Sequence, residues 1–309
     1  AGRKKNFNTG LRLSPPADND SFSLRQCSQG KTENPPQLLI FLHVFKTAGS
    51  TMRSLLKEVA AARSCGYMTI YGCADPGEPV DEKKCMLKDA TYYKQSGERK
   101  DRKRGSMDQV DATEMSKYSV VAGHIRHSYV ESLYPTSTET AVFTFVREPV
   151  ARWISGIFYN RKELPKISRE DALDMLVGEI GGKEIGESKN VYPRYLLSDA
   201  ELLLEMSEEE NAKKVVERLG ELSFVGVVER WDESLTMLGK LLGSRDSSAI
   251  RKVLLKYKQG KQRNTSRKEG DLDTEGWVQE LKSKRPESYD TLVYKLRYEQ
   301  MIYDEGVRL

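Results

Sequence analysis

The chain has 309 residues and 35.1 kDa, with 38% hydrophobic and 31% charged side chains and a mean hydropathy of −0.62. That length allows two domains or one large α/β domain and buries a sizeable core without staples, and no run approaches the roughly 18 apolar residues of a membrane span. Fifty basic against 46 acidic side chains leave a net charge of +4, too small to argue for nucleic acid.

In chain order, the start AGRKKNFNTG is neither a Met start nor a signal peptide, which suggests trimming and leaves room for an upstream anchor. Residues 1–36 are polar and irregular, punctuated by Pro15-Pro16 and Pro35-Pro36, and read as a tail ahead of a domain spanning 37–309. Leu38–Val44 (LLIFLHV) is a near-continuous apolar run, the pattern of a strand buried on both faces of a parallel sheet. Ser50–Arg63 follows with Met52, Leu55, Leu56 and Val59 on one helical face. The charged segment of about 65–115 reads as a variable excursion with some helix, and its cluster ERKDRKRG (Glu98–Gly105) as either a solvated face or a platform for an anionic ligand.

Tyr118–Ala122 and Ala141–Val146 are strand-like, and Pro149 suits the first turn of the next helix, whose apolar face is Trp153, Ile154, Ile157 and Phe158. Ser207 and Glu210 form a capping box for a helix that stops at Gly220. Phe224–Val228 is a further strand leading into a helix at Asp232–Leu242; the rest is mostly helical apart from a basic loop, Lys258–Asp271. Strands alternating with helices specify an α/β fold with a parallel β-sheet flanked by helices.

Cys27, Cys65, Cys73 and Cys85 lack CxxC spacing and a His-x-x-x-His partner, so no metal site is expected. Two disulfides in an oxidising lumen and four thiols in the cytoplasm both fit that count. Sequons at Asn19 and Asn264 favour the secretory pathway and a glycoprotein.

Two segments carry the chemistry. In HVFKTAGSTM (His43–Met52) a buried strand runs into a tight turn and a helix. Ala48 and Gly49 let backbone N–H groups approach an anion, Ser50 and Thr51 add hydroxyls at the helix N-terminus, and Lys46 supplies an ammonium. This P-loop-like strand-turn-helix is not a Walker A loop, in which the lysine follows the glycine. In FTFVREPVARWISGIFYNR (Phe143–Arg161), Arg147 sits at a strand end and Ser155 two helical turns further on, suited to grip one phosphate from two sides.

With these two segments in this order, the chain resembles the carbohydrate sulfotransferases that use 3′-phosphoadenosine 5′-phosphosulfate (PAPS). The resemblance rests on Lys46-Thr47-Ala48-Gly49-Ser50-Thr51, on Arg147-Glu148-Pro149 with Ser155, and on FVGVVERWDESLTMLGKLLG (Phe224–Gly243). It runs over roughly Leu38 to Asp304. It implies that Lys46, Thr47, Ala48, Gly49, Ser50 and Thr51 bind the 5′-phosphosulfate and that Arg147 and Ser155 bind the 3′-phosphate. Gly123-His124, after a strand, is similar to the family's Gly-His segment, which makes His124 the expected catalytic base, suited by an imidazole pKa near neutrality. Glu131 and His127 are the fallbacks, and His43 is expected to pack or hydrogen-bond within its strand. The loop Lys258–Lys268 resembles the family's late basic loop, so Arg263, Thr265 and Ser266 are expected at the nucleotide. Asn264 could join them only if it is not glycosylated.

The expected activity is in-line transfer of a sulfuryl group from PAPS to a carbohydrate hydroxyl. His124 would act as base and Lys46 would stabilise the leaving charge, with 3′-phosphoadenosine 5′-phosphate (PAP) as product and no metal required. The expected partner is a glycan, anionic if the basic clusters engage it; nucleic acid is not expected, and membrane contact only through an anchor outside this chain. Trp153 and Tyr192–Tyr195 are either acceptor contacts or core. Alternatives are sulfation of a small metabolite or protein tyrosine, a P-loop-type kinase, or a nucleotide-binding module without catalysis. The Golgi lumen or secretory pathway is the expected location, the cytoplasm the alternative.

Overall fold

The computed structural model describes residues 37–71, 86–93, 99–102, 105–106, 117–126, 139–161, 167–182, 191–202, 204, 206–243, 247–258 and 273–309. Its strands are β1 (Gln37–Leu42), β2 (Tyr67–Tyr71), β3 (Met86–Tyr93), β4 (Arg99–Arg102), β5 (Gly105–Ser106), β6 (Val120–Gly123), β7 (Glu139–Val146) and β8 (Phe224–Val227). They form one sheet in the order β4-β3-β2-β6-β1-β7-β8, with β5 paired to β3. The run β2-β6-β1-β7-β8 is parallel throughout; β3, β4 and β5 add an antiparallel flank.

The helices are α1 (Gly49–Ala62), α2 (Pro149–Asn160), α3 (Arg169–Ile180), α4 (Val191–Leu196), α5 (Asp199–Leu202), α6 (Glu208–Glu221), α7 (Trp231–Leu241), α8 (Ser248–Lys258), α9 (Thr274–Lys284), α10 (Pro286–Lys295) and α11 (Arg297–Arg308). They cover both sheet faces, which is why β1 reads as continuous apolar sequence. Leu38, Ile40 and Leu42 pack with Tyr192, Val215 and Ile302 of α4, α6 and α11. Leu39 and Phe41 point the other way, to Met52, Leu55, Leu56 and Val59 of α1 and to Leu235 and Leu238 of α7. A third cluster joins Trp153, Ile154 and Ile157 of α2 to Leu173, Leu281 and Leu292.

The expected α/β fold with a mostly parallel sheet flanked by helices is therefore present. The described portions of the segment of about 65–115 hold β2 to β5, strands the sequence reading did not place there, while the helix expected in it would fall on residues outside the described ones. YMTIY is aromatic and β-branched enough to form a strand, and pairing with β6 on one side and β3 on the other overrides the weak periodicity around it. The basic cluster at Glu98–Gly105 supplies β4 at the outer edge of the sheet, where Arg99 pairs with Asp101 at 3.1 Å. Charge on an edge strand discourages pairing with another chain.

The capping box is formed: Ser207 Oγ accepts from Glu210 N–H, and Glu210 accepts from Ser207 N–H at 2.8 Å. The helix runs one residue past Gly220 to Glu221, because Gly220 stays helical and the chain turns extended only at Leu222. Cys65 is fully buried; Cys27, Cys73 and Cys85 lie outside the described residues, so the expectation of disulfides falls outside them too. Among the described residues no helix is long and apolar enough to cross a membrane.

Candidate functional site

Three adjacent parallel strands, β6, β1 and β7, end side by side. The crevice beyond the carboxyl ends of parallel strands is where α/β sheets bind ligands, since helix N-termini and loop side chains converge there. Here those three ends carry His124, the Lys46 turn and Arg147. Residues that are scattered along the sequence thus share one sheet edge.

The central part is the turn after β1. His43 N–H still donates to Gly123 O at 2.8 Å, so β1 and β6 stay in step to their ends. Lys46 and Ala48 then both adopt left-handed backbone (φ 66° and 61°), unusual for residues with a Cβ and of the kind that stores strain at functional turns. Ala48 is the residue preceding α1 and has no side chain able to cap it, so the first N–H groups of the helix receive no hydroxyl or carboxylate from the cap position. An anion suits such an end.

The hydroxyls divide in role. Thr47 is fully buried, and its Oγ1–H donates back to Val44 O at 2.9 Å, closing the turn from inside. Ser50 is partly exposed at the helix start and accepts from Arg53 Nη2 at 3.3 Å. Thr51 is largely buried. Arg53, one turn into α1, thus adds a guanidinium at the turn, and burial lowers its pKa from the usual value. Sequence reasoning passed over it, although an arginine one turn into an anion-facing helix is a legible signal.

Gly49 is needed for a reason other than close approach of an anion. A Cβ there would lie 1.6 Å from His43 Nε2, so the glycine makes room for an imidazole. His43, expected to pack or hydrogen-bond within its strand, sits one residue past it and packs at the centre of the site. Its ring lies 3.9 Å, centroid to centroid, from that of His124. Gly123 is also required: a Cβ there would meet Ile70 O at 1.8 Å, so β6 can hug β2 only with glycine before His124.

His124 is partly exposed, and its Nδ1 lies 3.1 Å from Tyr195 Oη. Its sequence neighbours Ile125 and Arg126 are buried, at 0% and 1% exposure, so the imidazole is presented from a fixed backbone.

Arg147 leaves the end of β7 and reaches the turn, its Nη1 donating to Lys46 O at 3.4 Å. Its backbone N–H donates to Tyr192 Oη at 3.1 Å. Glu148 earns its place as the cap of α2, accepting from Val150 N–H at 3.1 Å and Ala151 N–H at 2.6 Å, with Pro149 in the first turn as expected. The guanidinium also lies 3.8 Å from Glu229 and 3.7 Å from Glu275, two carboxylates that a bound phosphate would have to share it with. Ser155 is partly exposed on the same helix. The helix passes over the turn: a Cβ at Gly156 would touch the Phe45 ring at 3.7 Å, and the Tyr159 ring lies 4.4 Å from Lys46 Nζ.

The electrostatics set two mutually repelling cations, Lys46 and Arg147, beside the carboxylates of Glu148, Glu229 and Glu275. Burial, aided by Arg147, lowers the Lys46 pKa from 10.5 to about 8. Burial lowers that of Arg147 against the opposing pull of Glu275, Glu229 and Glu148. Desolvation raises the carboxyl pKa values of Glu148 and Glu229. An anion entering between Lys46 and Arg147 would relieve the repulsion between them.

The structure therefore brings Lys46, Thr47, Ala48, Gly49, Ser50, Thr51, His124, Arg147 and α2 with Ser155 to one edge of the sheet. Arg263, Asn264, Thr265, Ser266, His127 and Glu131 lie outside the described residues. Trp153 and Tyr192 are buried to 2% and 0% exposure, so of the two readings given for them the core role is the one seen. Among the described residues no group of three or more His, Cys, Asp or Glu side chains is arranged to hold a metal ion. No family model matches the chain, and no curated protein matches it.

Proposed function

We propose that the protein is a sulfotransferase that moves a sulfuryl group from PAPS to a hydroxyl of a carbohydrate. The observation that carries this reading is the convergence of the Lys46 turn, Arg147 and His124 at the ends of β1, β7 and β6. The left-handed turn and the uncapped start of α1 would hold the 5′-phosphosulfate, with Lys46 and Arg53 beside it. Arg147 and Ser155 would take the 3′-phosphate, displacing Glu275 from the guanidinium. Arg263, Thr265 and Ser266, as the resemblance implies, would contact the nucleotide.

Sulfuryl transfer, like phosphoryl transfer, proceeds by in-line displacement through a loose transition state, so positioning and charge supply most of the catalysis. His124 would accept the proton of the acceptor hydroxyl. Lys46 and the helix N–H groups would stabilise charge growing on the leaving phosphate.

Labelled PAPS offered with a panel of glycans, phenols, tyrosine peptides and small alcohols tests the reading. Label transferred to a glycan and lost in the His124→Ala protein is the expected result. Transfer to a phenol or tyrosine alone would relocate the acceptor class. PAP that binds without any transfer would make the chain a nucleotide-binding module, and binding of ATP with Mg²⁺ alone would make it a kinase.

A further inference from the structure

Resting on the assignment of His124 as the base, we infer that Tyr195 is a positioning residue for it: the phenol fixes the imidazole's tautomer so that Nε2 exchanges the proton with the acceptor. Two contacts among the described residues bear on the imidazole. Tyr195 Oη lies 3.1 Å from Nδ1, a hydrogen-bond distance. His43 meets the ring by its face, at a centroid separation of 3.9 Å and a tilt of 32°, so it packs on His124 and does not take a proton in the ring plane.

Tyr195 is well placed to be rigid. It is 8% exposed on α4, between fully buried Tyr192 and Leu196, in the core layer that covers β1 and β6. Its hydroxyl reaches a histidine 71 residues away in sequence. A histidine that must use one nitrogen for chemistry needs the other engaged, because the partner of the second nitrogen decides which carries the proton.

The step balances as follows. Nδ1–H donates to Tyr195 Oη throughout. The acceptor O–H bond breaks and its proton moves to the lone pair of Nε2. The acceptor oxygen forms a bond to sulfur while the sulfur–oxygen bond to the 5′-phosphate breaks, its electron pair leaving with PAP. The imidazolium so formed keeps both N–H groups in use, with Tyr195 accepting from one of them. His43 shares the ring stack and would resist a second positive charge beside it.

The experiment pairs Tyr195→Phe with nitrogen-15 spectroscopy of histidine-labelled protein. Three histidines in the chain, with His124→Asn to identify its signals, keep the spectrum readable. The wild-type protein should show Nδ1 protonated and Nε2 unprotonated at neutral pH. Tyr195→Phe, which keeps the ring in the core, should lose that preference and slow single-turnover transfer about 10–100-fold, the range seen when the orienting partner of a metal-ligating histidine is removed. Its PAP affinity should stay within about twofold of wild type.

An Nε2-protonated wild-type His124 would overturn the inference, and this readout needs no activity, only the His124→Asn spectrum for assignment. So would a Tyr195→Phe protein with the wild-type rate and tautomer. A wild-type protein that transfers no sulfuryl group would instead sink the proposed function, leaving the tautomer measurement to judge the Tyr195–His124 pair.

Discussion

The imidazole of His43 fills the space in which a side chain on Gly49 would begin, with Nε2 only 1.6 Å from an ideal Cβ. Since the same ring stacks on His124 at 3.9 Å, the start of α1 and the candidate base are mechanically joined through one side chain. The turn after β1 and the His124 end of the candidate site cannot shift independently.

Gly49→Ala should therefore disturb both ends. An added methyl in a packed interior costs about 1–3 kcal/mol, and here it must push either the imidazole or the helix start. Urea titration should show that loss. Calorimetry should show PAP binding weakened at least tenfold. Wild-type affinity in the folded variant would show that the turn accommodates the methyl and that the join is loose.

Lys46 predicts a pH dependence. Its pKa of about 8 lies below the ordinary 10.5, so between those values the unfolded chain holds more protons than the folded one. The stability of the free protein should rise with pH across that window on this residue's account. Affinity for PAP should go the other way, falling as the ammonium is lost above about pH 8. A hydrogen bond to a charged group is worth about 1.5–3 kcal/mol, which bounds the fall at roughly 10–100-fold. Lys46→Arg, charged throughout, should flatten the curve; a flat wild-type curve from pH 7 to 10 would remove Lys46 from the ligand contacts.

Arg147 and Glu275 should respond with opposite signs. Arg147→Ala removes a guanidinium from the expected phosphate site and should weaken PAP binding about 10–100-fold. Glu275→Gln frees the guanidinium from an exposed carboxylate 3.7 Å away. Exposed pairs are worth about 0.2–1 kcal/mol, so affinity should improve by up to about fivefold. Weaker binding by Glu275→Gln would mean that the carboxylate orients Arg147 rather than competing for it.

Arg152 and Glu299 concern the frame. Both are 1% exposed, and Arg152 Nε donates to Glu299 Oε2 at 3.1 Å, tying α2 to α11 beneath the site. Removing one partner of a buried pair leaves the other charge uncompensated, at a cost of about 3–5 kcal/mol. Glu299→Ala should lose that much stability by urea titration, while Glu299 replaced together with Arg152 by apolar residues of similar volume should recover most of it.

Local sequence was enough for much of this. Leu38–Leu42 could only be a strand covered on both faces, the stripe Met52, Leu55, Leu56 and Val59 only a helix on that sheet, and Ser207 with Glu210 only a helix start, because each signal is a matter of spacing along a few residues. The turn at Lys46 was legible for the same reason: residue types that suit an anion stand consecutively where a strand meets a helix. What spacing could not carry was the lateral order of strands. That β6 and β7 flank β1, placing His124 and Arg147 on either side of Lys46, follows from sheet pairing between distant segments. The strands within 65–115 escaped for a related reason, since YMTIY is held by β6 and β3 more than by its own pattern. Side-chain roles were decided last of all. Gly49 looked like an opening for an anion and proved to be the space for His43; Tyr195 looked like core and also reaches His124. Such assignments depend on which atoms meet across the interior, and packing between remote residues leaves no period in the chain to read.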